Sequence, residues 1–415
     1  MRFAIPAFQF RFMPALGNVI FPANFHPVGT QRAAEAMVAR GLAGAGKPRE
    51  GGGRWLIVGA SGGFGSAARV ALGTGRGAHT LGVSLDAAPN PESTNKIRTI
   101  GSPGYHRNLA IERELRALGL TATSVNGDAF DPKTIAATIA AIRGSLGGPI
   151  DGLVWALAAP RALDPRTGKA VSSALKPLGK SVAIKTFGGR GDDGSPAKVV
   201  EFTVDPGTPE EAVATQYVMG GGIVDTWIRA LLGEGLLADG FRLLTISYRG
   251  NPLNEGIYRK GLIGLAKADL EFHTRAIDAV LQDRCGGRAL AVEGPAVVTE
   301  ASGGIPGVPF YMALLLDVMG GRFEDPLASM QRMFAERVPA GGDPVVDGEG
   351  LVRMDDRELA DDVQAEMRRR FDAYGVGDDF EGDLHQRFLD EYARTRGFAV
   401  DGVDYAAEFE STELG

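Results

Sequence analysis

The fold is decided by the stretch Trp55-Leu-Ile-Val-Gly-Ala-Ser-Gly-Gly-Phe-Gly65. Its first four residues predict a buried strand, and its glycines precede a helix predicted from about Phe64 to Leu72. Glycines between a strand and a helix let the backbone approach a pyrophosphate at the positive helix N-terminus. The spacing Gly-x-x-x-Gly-x-Gly differs from the classical Gly-x-Gly-x-x-Gly, and its place between a strand and a helix predicts a dinucleotide site. The alternative is a tight structural turn.

Strands and helices alternate along most of the chain. Helical patterns at 108–118 and 132–146 lie between apolar runs that predict further strands at 79–85, 122–125, 150–157, 241–248 and 289–298. Because these strands are continuously apolar and alternate with helices, they predict a parallel sheet covered on both faces. The fold class is therefore α/β, an enlarged Rossmann-type doubly wound parallel sheet.

Two segments enlarge this fold. A long insertion on the substrate side, 161–240, separates the fourth and fifth strands, and a helical C-terminal extension covers 326–415. The acidic pairs of the extension, such as Asp355-Asp356, are expected to lie on solvated faces. Residues 1–12 are predicted to be an N-terminal extension outside the fold, so that one enlarged domain spans 13–415.

Composition excludes several classes of function. A formal net charge of −7 leaves no basic footprint for nucleic acid. No apolar run approaches the roughly 20 residues that span a bilayer. The five histidines are scattered without ligand spacing, so no metal site is expected. The single Cys285 cannot form an intrachain disulfide, which fits a reducing cytoplasm.

Three strand ends carry candidate cofactor contacts. Asp86 closes the second strand, where a carboxylate can bind the adenosine ribose hydroxyls and repel a 2′-phosphate, which favours NADH over NADPH. Asp128 follows the third strand and is a candidate for the adenine amino group. The small residues 156–160 after the fourth strand leave room for a cofactor. The alternative for each of these is an ordinary loop residue without a cofactor contact.

The fifth strand runs into a segment that contains Tyr248, Tyr258 and Lys267. Tyr258 and Lys267 are nine residues apart, which on one continuous helix is about half a turn out of phase at ~100° per residue. They converge only if Tyr258 precedes the helix, and Gly261 and Gly264 make such a late helix start plausible. Lys260, two residues from Tyr258, is expected at the surface.

This Tyr-x8-Lys pattern, with a second tyrosine ten residues upstream, resembles the trans-2-enoyl-CoA reductases and the related FabV-type enoyl-acyl carrier protein reductases. The resemblance runs from about Met13 to the end of the chain. Besides the glycine turn it includes Phe25-His-Pro-Val-Gly29, Asn126-Gly-Asp-Ala-Phe130, Lys176-Pro-Leu-Gly179, Met219-Gly-Gly221, Val297-Val-Thr-Glu-Ala-Ser302, Ile305-Pro306 and Asp401-Gly-Val-Asp-Tyr405.

The resemblance implies NADH-dependent reduction of trans-2-enoyl thioesters, with hydride added to C3. It implies that Tyr258 is the catalytic acid that stabilises the enolate, that Tyr248 also contacts the thioester, and that Lys267 holds the nicotinamide ribose. As a cation, Lys267 is also expected to lower the tyrosine pKa. The cofactor-binding residues that it implies are Gly59, Ala60, Ser61, Gly62, Gly63, Phe64, Leu85, Asp86, Asp128, Ala129, Leu157, Ala158, Lys267, Ala296, Val297, Val298 and Thr299.

The sequence departs from the family's pattern at several positions. Asp86 stands where these enzymes usually have glutamate, Asn254 lies near the place of a usual threonine, and Gly303, Gly304 and Gly307 alter the segment around Ile305-Pro306. These changes leave the pocket shape and the acyl length open. The carrier, coenzyme A or acyl carrier protein, is also open, and a monomer is expected without excluding an oligomer.

Two alternative functions remain. A short-chain-type carbonyl reductase is disfavoured because neither Tyr248 nor Tyr258 is followed by a lysine four residues later. A catalytically inactive NADH-binding protein would keep the dinucleotide motif without turnover.

Overall fold

A computed structural model describes residues 2–45, 51–94, 99–191, 193, 195–380 and 382–410. Its strands are β1 (Arg2–Phe3), β2 (Phe10–Met13), β3 (Val19–Pro22), β4 (Arg54–Val58), β5 (His79–Ser84), β6 (Ala122–Asn126), β7 (Ile150–Trp155), β8 (Arg161–Asp164), β9 (Lys169–Ser172), β10 (Val182–Phe187), β11 (Val199–Val204), β12 (Leu237–Ser247), β13 (Arg288–Glu293), β14 (Val352–Arg353) and β15 (Phe409–Glu410). Its α-helices are α1 (Pro27–Ala45), α2 (Gly63–Ala71), α3 (Pro103–Ala117), α4 (Pro132–Ala141), α5 (Pro209–Met219), α6 (Gly222–Gly233), α7 (Leu262–Cys285), α8 (Val308–Met319), α9 (Pro326–Arg332), α10 (Asp361–Ala373) and α11 (Asp383–Arg394).

The central sheet has seven strands in the order β14-β13-β12-β7-β4-β5-β6, and every neighbouring pair is parallel. One face packs against α1, α2, α3 and α9, and the other against α4, α6 and α7. The predicted doubly wound α/β sheet is therefore confirmed. The strand order reverses direction between β4 and β7, and in such sheets ligands bind at the carboxyl ends beside this reversal.

Local sequence explains where the helices begin. Ser102 and Asp131 accept backbone N–H bonds at the starts of α3 and α4, and each is followed by a proline that suits the first helical position. Thr208 and Glu211 form a capping box at the start of α5. None of the described helices is both long and apolar enough to cross a membrane.

The insertion and the extension meet beside the sheet. The insertion forms two antiparallel hairpins, β8–β9 and β10–β11, before α5 and α6. A third apolar cluster joins the second hairpin to α8, α10 and α11. This cluster places residues of both segments next to the carboxyl edge of the sheet.

The structure corrects the prediction for the N-terminal segment. Over residues 2–12 the chain is part of the fold, since β1 pairs with β15 and β2 pairs with β3. Its alternating aromatic residues Phe8, Phe10 and Phe12 pack against the third cluster, which partly buries their rings. Met1 lies outside the described residues.

Two further predictions need correction. The sixth predicted strand, 289–298, ends as β13 at Glu293, because Gly294 and Pro295 follow and proline cannot donate to a sheet. Asp355 is not solvated: it is 3% exposed and accepts hydrogen bonds from Arg353 at 2.7 and 2.8 Å.

Candidate active site

The glycine turn after β4 brings that strand, β7 and α2 into close contact. Gly59 has a φ of +85°, and a Cβ there would lie 2.8 Å from the backbone of Ala156 and of Leu157. A Cβ at Gly65 would lie 2.0 Å from the Gly59 carbonyl oxygen. Only glycine fits these two positions, so the turn leaves its outer surface open to a cofactor backbone.

Asp86 lies two residues after β5 and lines the same cleft as this turn. Its Oδ1 accepts a hydrogen bond from Ser102 Oγ at 3.0 Å, and its Oδ2 is buried without a hydrogen-bond partner among the described residues. A Cβ at Gly104 would lie 2.1 Å from Oδ1, so the carboxylate fits only because residue 104 is glycine. A buried carboxylate oxygen without a donor is unfavourable, and a ribose hydroxyl would satisfy it.

Tyr258 lies in the loop before α7, and Lys267 lies in the second turn of that helix. The helix begins at Leu262 after Gly261, so the late start expected from the sequence is present. A Cβ at Gly264 would lie 2.1 Å from the Arg259 carbonyl oxygen, which explains why this loop can fold back over the first turn. Lys260 is at the surface, with a side chain 67% exposed that pairs with Glu255.

The two tyrosine rings pack edge to face, with centroids 4.9 Å apart and planes at 89°. The Tyr258 side chain is 7% exposed, and its hydroxyl has no hydrogen bond to any described residue. Burial and the nearby Glu358 carboxylate raise the pKa of Tyr258, so its net shift is opposite to the lowering expected from Lys267. Tyr258 therefore keeps its proton at neutral pH and is a hydrogen-bond donor.

Lys267 is 7% exposed, and its Nζ donates to the Ile246 carbonyl oxygen at 3.4 Å. Burial lowers the pKa of Lys267, while Glu293 and Glu271 act in the opposite direction. Burial and the neighbouring Glu271 carboxylate raise the pKa of Glu293 to about 7. The lysine thus stands between the cleft and two buried carboxylates.

One carboxylate anchors the residues that follow both tyrosines. Glu271, one helical turn after Lys267, is 2% exposed. It pairs with Arg249 at 2.8 Å and with Arg259 at 3.0 Å. Since Arg249 follows Tyr248 and Arg259 follows Tyr258, both backbone segments are tied to the helix that carries Lys267.

These elements line a single cleft of about 530 Å³ at the carboxyl edge of the sheet. The predicted residues on its walls are Gly59, Ser61, Gly62, Gly63, Phe64, Asp86, Leu157, Ala158, Tyr248, Tyr258, Lys267, Ala296, Val297 and Thr299.

Five predicted cofactor residues do not line the cleft. Ala60 and Ala129 are packed in the core at 0% and 6% exposure, and Val298 packs against the third cluster. Leu85 is 72% exposed beside Asp86. The Asp128 carboxylate accepts hydrogen bonds from the backbone N–H of Phe130 at 3.0 Å and of Leu163 at 3.4 Å.

The fold also brings to the site residues that were not predicted from the sequence. Ser102 and Gly104 surround the Asp86 carboxylate, and Tyr311 lines the cleft. Glu358 comes from the C-terminal extension and is 1% exposed. The X-Pro start of α3 was a usable signal for Ser102, but no local pattern marks Glu358.

Comparison with known families gives three matches along the chain. Residues 13–91 match the NAD(P)H binding domain of trans-2-enoyl-CoA reductase, and residues 99–338 match the trans-2-enoyl-CoA reductase catalytic region. Residues 346–409 match a family described as the enoyl reductase FAD binding domain.

Individual relatives agree with these matches. Proteins named enoyl-[acyl-carrier-protein] reductase [NADH] are 35% identical over 84% of both chains in Coxiella burnetii, and 37% identical over 92% of this chain and 93% of the relative in Burkholderia thailandensis. The crystal structure of Clostridium acetobutulicum trans-2-enoyl-CoA reductase in complex with NADH matches at 31% identity and a TM-score of 0.86, covering 98% of each chain. That of the Treponema denticola enzyme in complex with NAD matches at 33% identity and a TM-score of 0.81, covering 95% of this chain and 96% of that one.

Proposed function

The chain belongs to the trans-2-enoyl-CoA reductase family, and we propose that it uses NADH to reduce the carbon–carbon double bond of trans-2-enoyl thioesters. The observation that carries this proposal is the single cleft that joins the glycine turn and Asp86 to Tyr248, Tyr258 and Lys267. A dinucleotide site and a set of proton donors thus share one surface.

The described residues fit NADH. The turn packs against β7 at Gly59 and so leaves its outer surface open to a pyrophosphate, and the unpartnered Oδ2 of Asp86 suits a ribose hydroxyl. A second phosphate on that ribose would be repelled by the same carboxylate, which supports NADH over NADPH. Lys267, with one weak hydrogen bond of its own, has ammonium protons left for the nicotinamide ribose.

NADH, when bound, supplies the hydride for C3 of the substrate. Negative charge then builds on the thioester oxygen, and Tyr258 donates a hydrogen bond to it. Because burial keeps this tyrosine protonated and its hydroxyl has no described partner, it needs no rearrangement to donate. Tyr248, in ring contact with Tyr258, provides a second donor on the same wall.

The proposal also covers the acyl carrier, the cellular compartment and the oligomeric state. The thioester is carried by coenzyme A or by acyl carrier protein, and both carriers present the same reacting group to the cleft. A single cysteine supports a reducing, cytoplasmic setting. The insertion and extension, which cover the sheet edge beside the cleft, support a monomer.

The test is the oxidation of NADH by the purified protein with short and long trans-2-enoyl-CoA and enoyl-acyl carrier protein. We expect turnover with an enoyl thioester and little with NADPH. A carbonyl reductase would instead consume NADH with a ketone and leave the enoyl thioester untouched. Binding of NADH without any turnover would identify an inactive nucleotide-binding protein and would overturn the proposal.

A further inference from the structure

A line of hydrogen bonds connects Tyr248 to the buried carboxylate of Glu358. The side-chain amides of Asn251 and Asn254 each donate from Nδ2 to Tyr248 Oη at 3.3 Å. Asn251 Nδ2 also donates to Glu358 Oε1 at 3.2 Å. Residues 251 and 254 lie in the loop between the two tyrosines, whereas Glu358 belongs to the C-terminal extension.

The orientation of both amides is fixed by the backbone. Asn254 Oδ1 accepts the N–H of Asn251 at 2.8 Å, and Asn251 Oδ1 accepts the N–H of Leu253 at 3.0 Å. An amide whose oxygen is held in this way can present only its NH₂ group to another partner. Tyr248 therefore faces two donors.

A phenol hydroxyl has one proton to donate, and its oxygen accepts through lone pairs. Since both amides occupy the accepting side of Tyr248 Oη, its proton must point away from them. Tyr248 lines the cleft beside Tyr258. We propose, on the basis of the reductase function above, that Asn251 and Asn254 are positioning residues that direct the Tyr248 proton toward the thioester oxygen.

Glu358 explains why Asn251 keeps its orientation. Besides Asn251, its carboxylate accepts the Tyr311 hydroxyl at 2.7 Å and the Ala296 N–H at 2.6 Å. All three of these groups donate hydrogen bonds to Glu358, which is 1% exposed. The buried carboxylate thereby connects the Asn251 amide to Ala296 and Tyr311 of the cleft wall. Glu358 is in this way a positioning residue that acts through Asn251.

The sharpest variants change residue 254. Asn254→Asp keeps the Oδ1 acceptor but replaces the donor by an oxygen that can accept the Tyr248 proton, and Asn254→Leu removes the donor at any protonation state. We expect each to lower kcat about tenfold with little change in NADH affinity, as for the loss of one hydrogen bond that orients a donor.

Kinetics of double mutants distinguish a positioning role of residue 254 from a general structural role. In a Tyr248→Phe background, neither substitution at 254 should lower kcat further, whereas in a Tyr258→Phe background both should still do so. Wild-type turnover, measured first, separates failure of the proposed function from failure of this inference. The inference is overturned if both variants keep wild-type kcat, or if they lower it equally in the presence and absence of the Tyr248 hydroxyl.

Discussion

Lys267→Met tests the nine-residue spacing most directly, and Lys260→Met is its matched control. Methionine keeps much of the length and volume of lysine, so the buried position at 267 is filled without a large cavity. The ammonium of Lys267 makes one long hydrogen bond, of 3.4 Å, to the Ile246 carbonyl oxygen. Its other protons are available to the cofactor, whereas Lys260 is exposed and pairs only with Glu255 among the described residues.

Loss of a charge-assisted hydrogen bond to the ribose corresponds to ~1.5–3 kcal/mol, which is roughly a 10- to 150-fold weaker affinity for NADH. We expect Lys267→Met to reach this range in a direct binding titration and to lower kcat as well, because the nicotinamide is no longer oriented. Lys267→Arg should not restore either quantity, since the planar guanidinium differs in shape and reach.

The same titration and steady-state kinetics on Lys260→Met should give values within about twofold of the wild type, as for an exposed ion pair. The reasoning is refuted if Lys260→Met loses NADH binding while Lys267→Met retains it. That result would mean that the loop before α7 presents the nearer lysine to the cofactor.

Four further substitutions, one of them followed over a pH series, extend the test. Tyr258→Phe should lower kcat at least ~100-fold with NADH affinity unchanged, and near-normal turnover would remove its catalytic role. Asp86→Ser should reduce the preference for NADH over NADPH, mainly through KM, and an equal use of both by the wild type would contradict the ribose contact. Glu271→Gln should lower the free energy of unfolding by about 1.5–3 kcal/mol, because Arg259 loses its charged partner while Arg249 keeps Glu349 at 2.9 Å; a denaturant titration with an unchanged midpoint would contradict this anchor. Because the pKa of Glu293 is raised to about 7, the folded state binds its proton more tightly than the unfolded state. Its contribution should therefore make the protein less stable as pH rises from about 5 to about 7, and Glu293→Gln should lack that part of the slope.

The features that the sequence predicted are those set by neighbouring residues. The strand, turn and helix from 54 to 71 follow from an apolar run and glycines whose missing side chains are required by contacts as close as 2.0 Å. The late start of α7 follows in the same way from Gly261 and Gly264. In both cases the steric requirement involves residues that are close in the sequence, so the spacing of the glycines was sufficient to predict the local structure.

The features that it missed depend on distant contacts or on competing local ones. Glu358 reaches Asn251 across 107 positions, and no period or spacing connects them. Asp128 shows a local ambiguity, because a carboxylate after a strand can accept hydrogen bonds from its own loop or face a ligand, and it accepts two backbone N–H groups in this structure. Residues 2–12 were misplaced because the ring partners of Phe8 and Phe12, Tyr392 in α11 and Phe187 in β10, are distant in the sequence.

The insertion and the C-terminal extension contribute residues to the site itself. The central sheet and α7 supply the glycine turn, Asp86, Tyr248 and Lys267 to the wall of the cleft. The insertion adds Leu175 and Met219 to the cleft wall, and α8 adds Tyr311. The C-terminal extension then places Glu358 under Tyr311 and Asn251, where a buried charge is favourable only because three donors from different segments surround it. The orientation of the second tyrosine therefore depends on the docking of the extension, so loosening that docking should affect proton donation before it affects cofactor binding.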